Sequence, residues 1–487
     1  MRALMVLLLL TVSACSLDPA LVKPEPPVPA TFPTEAGRAT QAHAADLGWR
    51  TMFRDPRLQR LIELGLGHNR DLRLAVLNVE AVRAQYGIQR AARLPSIEAT
   101  ASATRQRTVA GSELGPAVPA AVQEQYVLSL GLNAFEVDLF GRVRSLSEAA
   151  FARYLASEQG RRATQIALVG AIADAYFAER LAQAQHRLAE RTLADWRQSL
   201  DLAHKLKAAN QSSGLDVAQA EAQVASAQAD LEARGRAVAQ SRNALRLLIG
   251  TDLPANLPAS IPLDAQPMVT RLPAGLPSDL LLRRPDILQA EQSLVAANAE
   301  IGAARAAFFP RLSLTAALGY ASPAMHGLFD GGSRAWSFAP QITVPIFQAG
   351  RLRAELRLAQ LRKSSAVAEY EKAIQAAFRE VADGLAGQET YGRQIEAQAR
   401  VVSSAERRME LSKLRYLAGV EGRLELLDSQ RQLYAARQAL LELRRSALGN
   451  AVSLYKALGG GLTDRDASPA DGTALQGPVD ATVDARG

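Results

Sequence analysis

The residue with the most distinctive chemistry is Cys15, the only cysteine in the 487-residue chain. It follows a positively charged start, an apolar run over residues 3–12 and the small pair Ser13 and Ala14. The run is too short to span a membrane and is typical of a secretory signal peptide. Small residues directly before a lone cysteine indicate a bacterial lipoprotein, in which the thiol carries a thioether-linked lipid. The sequence therefore predicts a signal peptide at 1–14 and lipidation of Cys15.

The residues after Cys15 predict where the anchor leads. Ser16 stands where an aspartate would favour retention at the inner membrane, so the outer membrane is expected. Two or three acyl chains give stable anchoring where one does not. Residues 15–45 are rich in proline and alanine and are expected to form a lipidated tether that runs along the outside.

No set of side chains converges on catalysis or metal binding. The five histidines are scattered without the spacing of metal ligands, and the chain has no nucleophile motif and no glycine-rich phosphate loop. We therefore expect no enzymatic activity, no metal site and no cofactor.

Composition favours long helices over large compact cores. Hydrophobic residues make up 48% of the chain and aromatic residues only 5%, which is typical of coiled coils. The net charge of +7 comes from 56 basic and 49 acidic residues that are interleaved along the helical stretches. Interleaved charges indicate a solvated helix face, so no nucleic-acid partner is expected.

The chain is a tandem duplication. A helical stretch runs from Asp71 to Pro95, and another of the same length, 24 residues, runs from Asp286 to Pro310. Two seams of apolar residues recur every seventh position and are 209 residues apart: Val217, Val224, Leu231, Val238 and Leu245, then Leu426, Leu433, Leu440, Ala447 and Leu454. Helices of sixty-odd residues are predicted at about 143–209 and 351–415, each followed by a turn and a return helix. Each copy is thus a long helical hairpin.

Each copy also contains a pair of strands. Alternating apolar and polar residues predict strands at about 96–105, 126–137, 312–321 and 335–345. Their lengths suit a tilted strand crossing a bilayer. Four strands are too few to close a membrane barrel, and an open sheet edge in lipid leaves backbone groups unsatisfied. Other copies of the chain are therefore expected to complete the barrel.

The residues that join the two copies resemble a known family. The segment 276–287 (LPSDLLLRRPDI), the segment 138–142 (DLFGR) and the start of the first copy at Trp49 and Phe53 are similar to the TolC-like outer-membrane efflux proteins. The similarity is to their lipoprotein, or NodT-type, branch that serves RND pumps. It implies a mainly α-helical fold in which a homotrimer forms a twelve-stranded β-barrel, continued by a periplasmic α-helical barrel.

The resemblance also implies organisation and partners. Residues 46–250 form the first efflux repeat, 251–285 a proline-rich linker, 286–461 the second repeat and 462–487 a disordered tail. The partners would be a periplasmic adaptor and an inner-membrane RND transporter, with outer-membrane lipid around the barrel. The implied function is passive export of drugs or other small molecules across the outer membrane, by a lipid-anchored channel that extends into the periplasm.

In this family the tunnel closes where the hairpin turns meet, and acidic side chains ring the aperture. By that similarity Glu425 and Asp428 occupy the ring, Asp216 adds to it, and Tyr416 is a latch partner. Glu421 stands where the family has a basic latch residue, and Arg423 follows two positions later. The alternative is that these acids only favour helix amino termini.

Two other functions share parts of this pattern. The outer-membrane duct of a type I protein-secretion system has the same fold. A periplasmic adaptor is also a lipoprotein with a helical hairpin, but it would carry one hairpin between compact β-domains.

Overall fold

A computed structural model describes residues 17–32, 46–108, 121–273 and 277–465. The first repeat contains the short helices α1 (Trp49–Met52), α2 (Pro56–His68) and α3 (Arg70–Ala91), the strands β1 (Ile97–Thr108) and β2 (Ala121–Val137), the long helix α4 (Arg142–Ala208) and its return helix α5 (Gly214–Ile249). The second contains α6 (Pro277–Arg283), α7 (Pro285–Ala306), β3 (Arg311–Ser322), β4 (Arg334–Thr343), the long helix α8 (Arg351–Leu417) and its return helix α9 (Arg423–Ala457).

The order of elements is the same in both repeats. A 22-residue helix precedes each strand pair, a 67-residue helix follows it, and a return helix of 36 or 35 residues ends each repeat. The predicted duplication of a long helical hairpin and a β-hairpin is confirmed.

Two compact units share the chain, and the strands belong to the first, which comprises Met1–Glu25, Asn78–Glu158 and Gln289–Tyr370. Its sheet has the antiparallel order β1-β2-β3-β4. Leu130 of β2 pairs with Leu318 of β3, which in turn pairs with Trp336 of β4. These three side chains are exposed, so one face of the sheet presents an apolar band.

A β-bulge divides β2. The register between β2 and β3 shifts between Leu132 and Phe135, and Ala134 adopts a positive φ of 48°. Its backbone N–H donates to Thr315 Oγ1 at 3.2 Å, which offsets the lost ladder bond. A bulge bends a strand and increases its local twist, as a sheet that curves around a barrel requires.

The strands end slightly differently from the predicted bounds. β1 and β2 continue towards their connecting loop because pairing persists as far as Thr108 and Ala121. β4 ends at Thr343 because that residue pairs with Arg311, the first residue of β3. Beyond this point no partner is available to extend the ladder.

The second unit comprises Pro26–Leu77, Gln159–Leu288 and Glu371–Gly487 and contains the paired parts of the helical hairpins. In the first hairpin, Val224 of α5 packs with Leu193 and Trp196 of α4. Further along, Val217 and Ala220 pack against Ala203. Small residues three positions from the larger ones let the two helices approach closely.

The return helix and the helix before the strands meet end to end. Asn69, which precedes α3, donates from Nδ2 to the carbonyl of Leu248 in the last turn of α5, at 2.8 Å. Gly250 ends α5 with a φ of 76°. A Cβ there would lie 2.4 Å from the carbonyl oxygen of His68, so glycine is required by both conformation and space.

The inter-repeat linker is held rather than free. Arg284 is buried and donates to Glu380 and to the carbonyl of Ala457, both at 2.9 Å. It also forms a bidentate pair with Asp286 at 2.5 and 3.0 Å. One guanidinium of the linker motif therefore connects α7, α8 and the end of α9.

Candidate gate at the hairpin turns

The turn between α8 and α9 is built by backbone hydrogen bonds. Ala418 and Val420 donate to the carbonyls of Leu414 and Arg415, both at 3.0 Å. Gly419 adopts a φ of 72°, the left-handed conformation that commonly ends a helix. Gly422 then starts α9 without a side-chain cap. This turn places the predicted gate residues in the first two turns of α9.

Glu425 and Asp428 lie on one face of α9, as the sequence predicts. Both contact Arg408 of α8, whose Nη2 lies 2.5 Å from Glu425 Oε1 and 3.3 Å from Asp428 Oδ2. Arg431 is 3.7 Å from Asp428. The hydrogen bond to Glu425 raises the pKa of Arg408. The two carboxylates therefore share a cation within their own chain.

Tyr416 and Arg423 contact each other across the turn. The Arg423 guanidinium carbon lies 5.6 Å from the centre of the Tyr416 ring, a cation–π distance. Arg423 Nη2 donates to the carbonyl and to the hydroxyl of Ser199 on α4, both at 3.2 Å. The side chain is only 3% exposed, and its Nε and Nη1 have no hydrogen-bond partner. Arg423 thus joins the second hairpin to the first.

Glu421 remains on its own hairpin. Its carboxylate lies 3.4 Å from Arg415 and accepts a hydrogen bond from Ser412 at 3.2 Å, both on α8. The contact that reaches the first hairpin comes instead from Arg423. The basic partner of Tyr416 is therefore shifted by two positions from where the family pattern places it.

Asp216 occupies a capping box at the start of α5. Ser213 Oγ accepts from the Asp216 backbone N–H at 3.2 Å, and Asp216 Oδ2 accepts from the Ser213 backbone N–H at 3.0 Å. Ser212 and Ser213 donate further hydrogen bonds to the same oxygen. The backbone hydrogen bond is the main cause of a lowered pKa at Asp216, to which the charge of Arg423 adds. Its visible role is capping.

A groove of about 330 Å³ runs between α8 and α9 beside these residues. It is lined by Arg407, Arg408 and Arg415 together with Glu421 and Glu425. Such a mixture of charges favours small ions and water over apolar ligands. Among the described residues no cluster has the composition of a metal site.

Two other predictions concern membrane attachment. Cys15 lies outside the described residues, so its lipidation stays a prediction. Within the part of the chain that the structure describes, no helix is both long and apolar enough to cross a membrane.

Sequence reasoning missed Arg408 and Ser199. Each lies far along the chain from its partner, so no local pattern reports the contact. The role of Asp216 was available, because serine followed by an acid three positions later is the signal of a capping box.

Comparison with known proteins gives consistent matches along almost the whole chain. A family model described as outer membrane efflux protein matches residues 61–251 and 276–460. The probable efflux pump outer membrane protein TtgC of Pseudomonas putida is 48% identical over 452 residues, which cover 92% of this chain and 93% of that protein. Outer membrane protein OprJ of Pseudomonas aeruginosa is 43% identical over 455 residues, covering 93% of this chain and 95% of OprJ.

A solved structure matches as well. The open state of the MtrE outer membrane channel of Neisseria gonorrhoeae has a TM-score of 0.84 and 42% identity, and the match covers 93% of this chain and 100% of that one.

Proposed function

This chain belongs to the outer membrane efflux protein family, and from that membership we propose that three copies of it close one barrel and one helical tunnel. The family is one of channels, and the chain is an outer-membrane channel of an efflux pump. The resemblance predicted from the linker motif is confirmed. The number of copies, the partners and the gate are the proposed parts.

The observation that carries the assembly is the state of the sheet edges. In the described residues β1 and β4 each have a strand neighbour on one side only. The apolar band of Leu130, Leu318 and Trp336 is exposed, as lipid contact would require. Unpaired backbone groups in lipid cost several kcal/mol each. Pairing β4 of one copy with β1 of the next satisfies them, and three copies give twelve strands.

Cysteine cross-linking tests this closure. Ser102 of β1 is replaced by cysteine, together with one position of β4 at a time (Ala335, Ser337, Ala339 or Gln341). Oxidation of membrane-inserted protein is expected to give a covalent trimer as the largest species for at least one pair, while Ser102→Cys alone gives none. A ladder that continues beyond three, or only intrachain products at every position, would contradict a closed trimer.

The tunnel would export small molecules that an inner-membrane RND transporter and a periplasmic adaptor deliver. Relatives are named as efflux pumps for antibiotics and for toluene, which supports drugs and solvents as cargo. These names favour small-molecule efflux over the secretion-duct alternative. The two hairpins and four strands of this chain also argue against the adaptor alternative. In this role the chain needs no catalytic activity and no cofactor.

Lipidation of Cys15 would anchor each copy to the outer membrane. Mass spectrometry of the amino-terminal peptide tests it directly. A diacylglyceryl thioether on Cys15 is expected, and a free thiol at this position would remove the anchor from the account.

The gate would form where the hairpin turns of three copies meet. Glu425 and Asp428 would face the aperture, while Tyr416 and Arg423 hold the second hairpin against the first. Asp216 would add to the field at the aperture from its cap. Replacing both Glu425 and Asp428 with alanine is expected to raise single-channel conductance and weaken divalent-cation block. Unchanged conductance and block would refute the acidic ring.

A further inference from the structure

A groove in the strand-containing unit holds the chain's own amino-terminal segment. The carbonyl of Leu17 accepts from Arg305 Nη1 at 3.1 Å, and the carbonyl of Pro19 accepts from Asn298 Nδ2 at 2.8 Å. Lys23 Nζ lies 2.6 Å from Glu291 Oε1, and this hydrogen bond raises the pKa of Lys23. Residues 17–23, here called the anchor segment, are thus bound along their length by α7.

The tightest contact lies at Asp18. Its Oδ1 accepts a hydrogen bond at 2.8 Å from Ser145 of α4, which is buried. A Cβ on Gly302 would lie 1.5 Å from Asp18 Oδ1 and 2.6 Å from its Cγ. The Asp18 carboxylate therefore occupies the space that any other residue at position 302 would fill. The Lys23 pair is more exposed, so it contributes less than the contact at Asp18.

The contacting residues of α7 form one face. Glu291, Asn298, Gly302 and Arg305 are separated by seven, four and three positions, the spacing of a single helix stripe. We call this stripe the receiving face. It spans roughly 20 Å along the helix, which matches a short extended segment.

The first repeat lacks this face. At an offset of 215 residues, Val76 and Arg83 replace Glu291 and Asn298, while Gly87 takes the place of Gly302. At the offset of 209 that relates the long helices, Ala354 takes the place of Ser145. Gly87 has no atom within 4 Å of where a Cβ would be. The polar groups that bind the anchor segment thus occur in one repeat only.

We propose that the receiving face is a docking site for the anchor segment and fixes the point at which the lipidated amino terminus leaves the protein. This rests on the proposed lipidation of Cys15. Two residues separate Cys15 from Leu17, a span of at most about 7 Å. Arg305, which binds Leu17, lies in the last turn of α7, and β3 begins at Arg311. The acyl chains would therefore attach beside the start of a membrane strand, at the level of the inner leaflet.

A spin label on the anchor segment tests the docking. Val22 is 77% exposed, so a nitroxide on Val22→Cys leaves the contacts in place, and acylation of Cys15 makes the new thiol the only one. The parent protein is expected to give an immobilised spectrum. Gly302→Ala is expected to abolish the immobilised component, since its methyl group displaces Asp18. Gly87→Ala, the equivalent change in the first repeat, is the matched control and should leave the spectrum unchanged.

Asp18→Ala completes the test. It should mobilise the label by itself, and adding Gly302→Ala should then have no further effect, because the clash depends on the carboxylate. A label that stays immobilised in Gly302→Ala, or one that is mobile in the parent, would overturn the docking site. The count of labels separates this outcome from failed lipidation: two labels per chain mean that Cys15 is free, whatever the spectrum shows.

Discussion

Replacing Arg423 with methionine should shift the channel towards its open state. Arg423 is the side chain that connects the second hairpin to the first, through Ser199 and the Tyr416 ring. Methionine keeps much of the aliphatic stem and removes the charge and the donors. If opening separates the two hairpins, the variant loses interactions that exist only in the closed state.

The size of the effect follows from the contacts. Hydrogen bonds from a charged donor contribute about 1.5–3 kcal/mol, and a cation–π contact adds about 0.5–2 kcal/mol. The two Arg423 nitrogens without partners oppose these terms, since an unsatisfied buried donor costs about 1–3 kcal/mol. A net loss of about 1–2 kcal/mol corresponds to a change of about 5–30-fold in the ratio of open to closed channels.

Single-channel recording in planar bilayers measures this ratio. Arg431→Met is the matched control, because Arg431 is on the same helix but is exposed and contacts only Asp428 at 3.7 Å. Ser199→Ala removes one of the two hydrogen bonds and should give a smaller change. If Arg423→Met conducts like the parent protein, or if Arg431→Met has the same effect, the contact between hairpins does not hold the gate closed.

Three further predictions concern the gate and the sheet. Arg408→Gln should strengthen divalent-cation block several-fold, because it removes the cation that both gate carboxylates contact; weaker or unchanged block would contradict this. Asp216 has a lowered pKa, so its contribution is present above its unfolded value and lost as the pH falls through its folded value. Amide exchange at the first turn, corrected for intrinsic rates, should therefore accelerate below about pH 4, and Asp216→Asn should remove that dependence. Gly319→Ala places a methyl group 2.1 Å from the carbonyl oxygen of Leu128 and should destabilise the sheet by about 1–3 kcal/mol, seen as a lower yield of heat-resistant oligomer, while Gly332→Ala, with open space around it, should not.

Periodic features of the fold were predictable from the sequence. The seven-residue seams and the repeat offset of 209 predicted two hairpins, and buried positions such as Val217 and Leu426 confirm those seams. Alternation predicted the strands because their two faces differ in polarity. The bulge at Ala134 was missed, since an alanine at positive φ has no sequence signal.

Contacts across hairpins were not predictable. Glu425 and Asp428 were placed on one helix face by their spacing alone, but their partner Arg408 lies 17 and 20 residues away on another helix. The contact between Arg423 and Ser199 spans 224 residues. Such pairs depend on how two helices are aligned side by side, which a one-dimensional pattern does not specify. The position of Asp18 against Gly302 has the same origin.

Electron microscopy of the protein extracted from the outer-membrane fraction tests the central claim most directly. We expect threefold particles with a barrel of twelve strands, in which β4 of each copy lies beside β1 of the next, continued by a helical tunnel with a central lumen. Particles with a different symmetry, or with β1 and β4 left unpaired, would contradict the account of how this chain forms a channel.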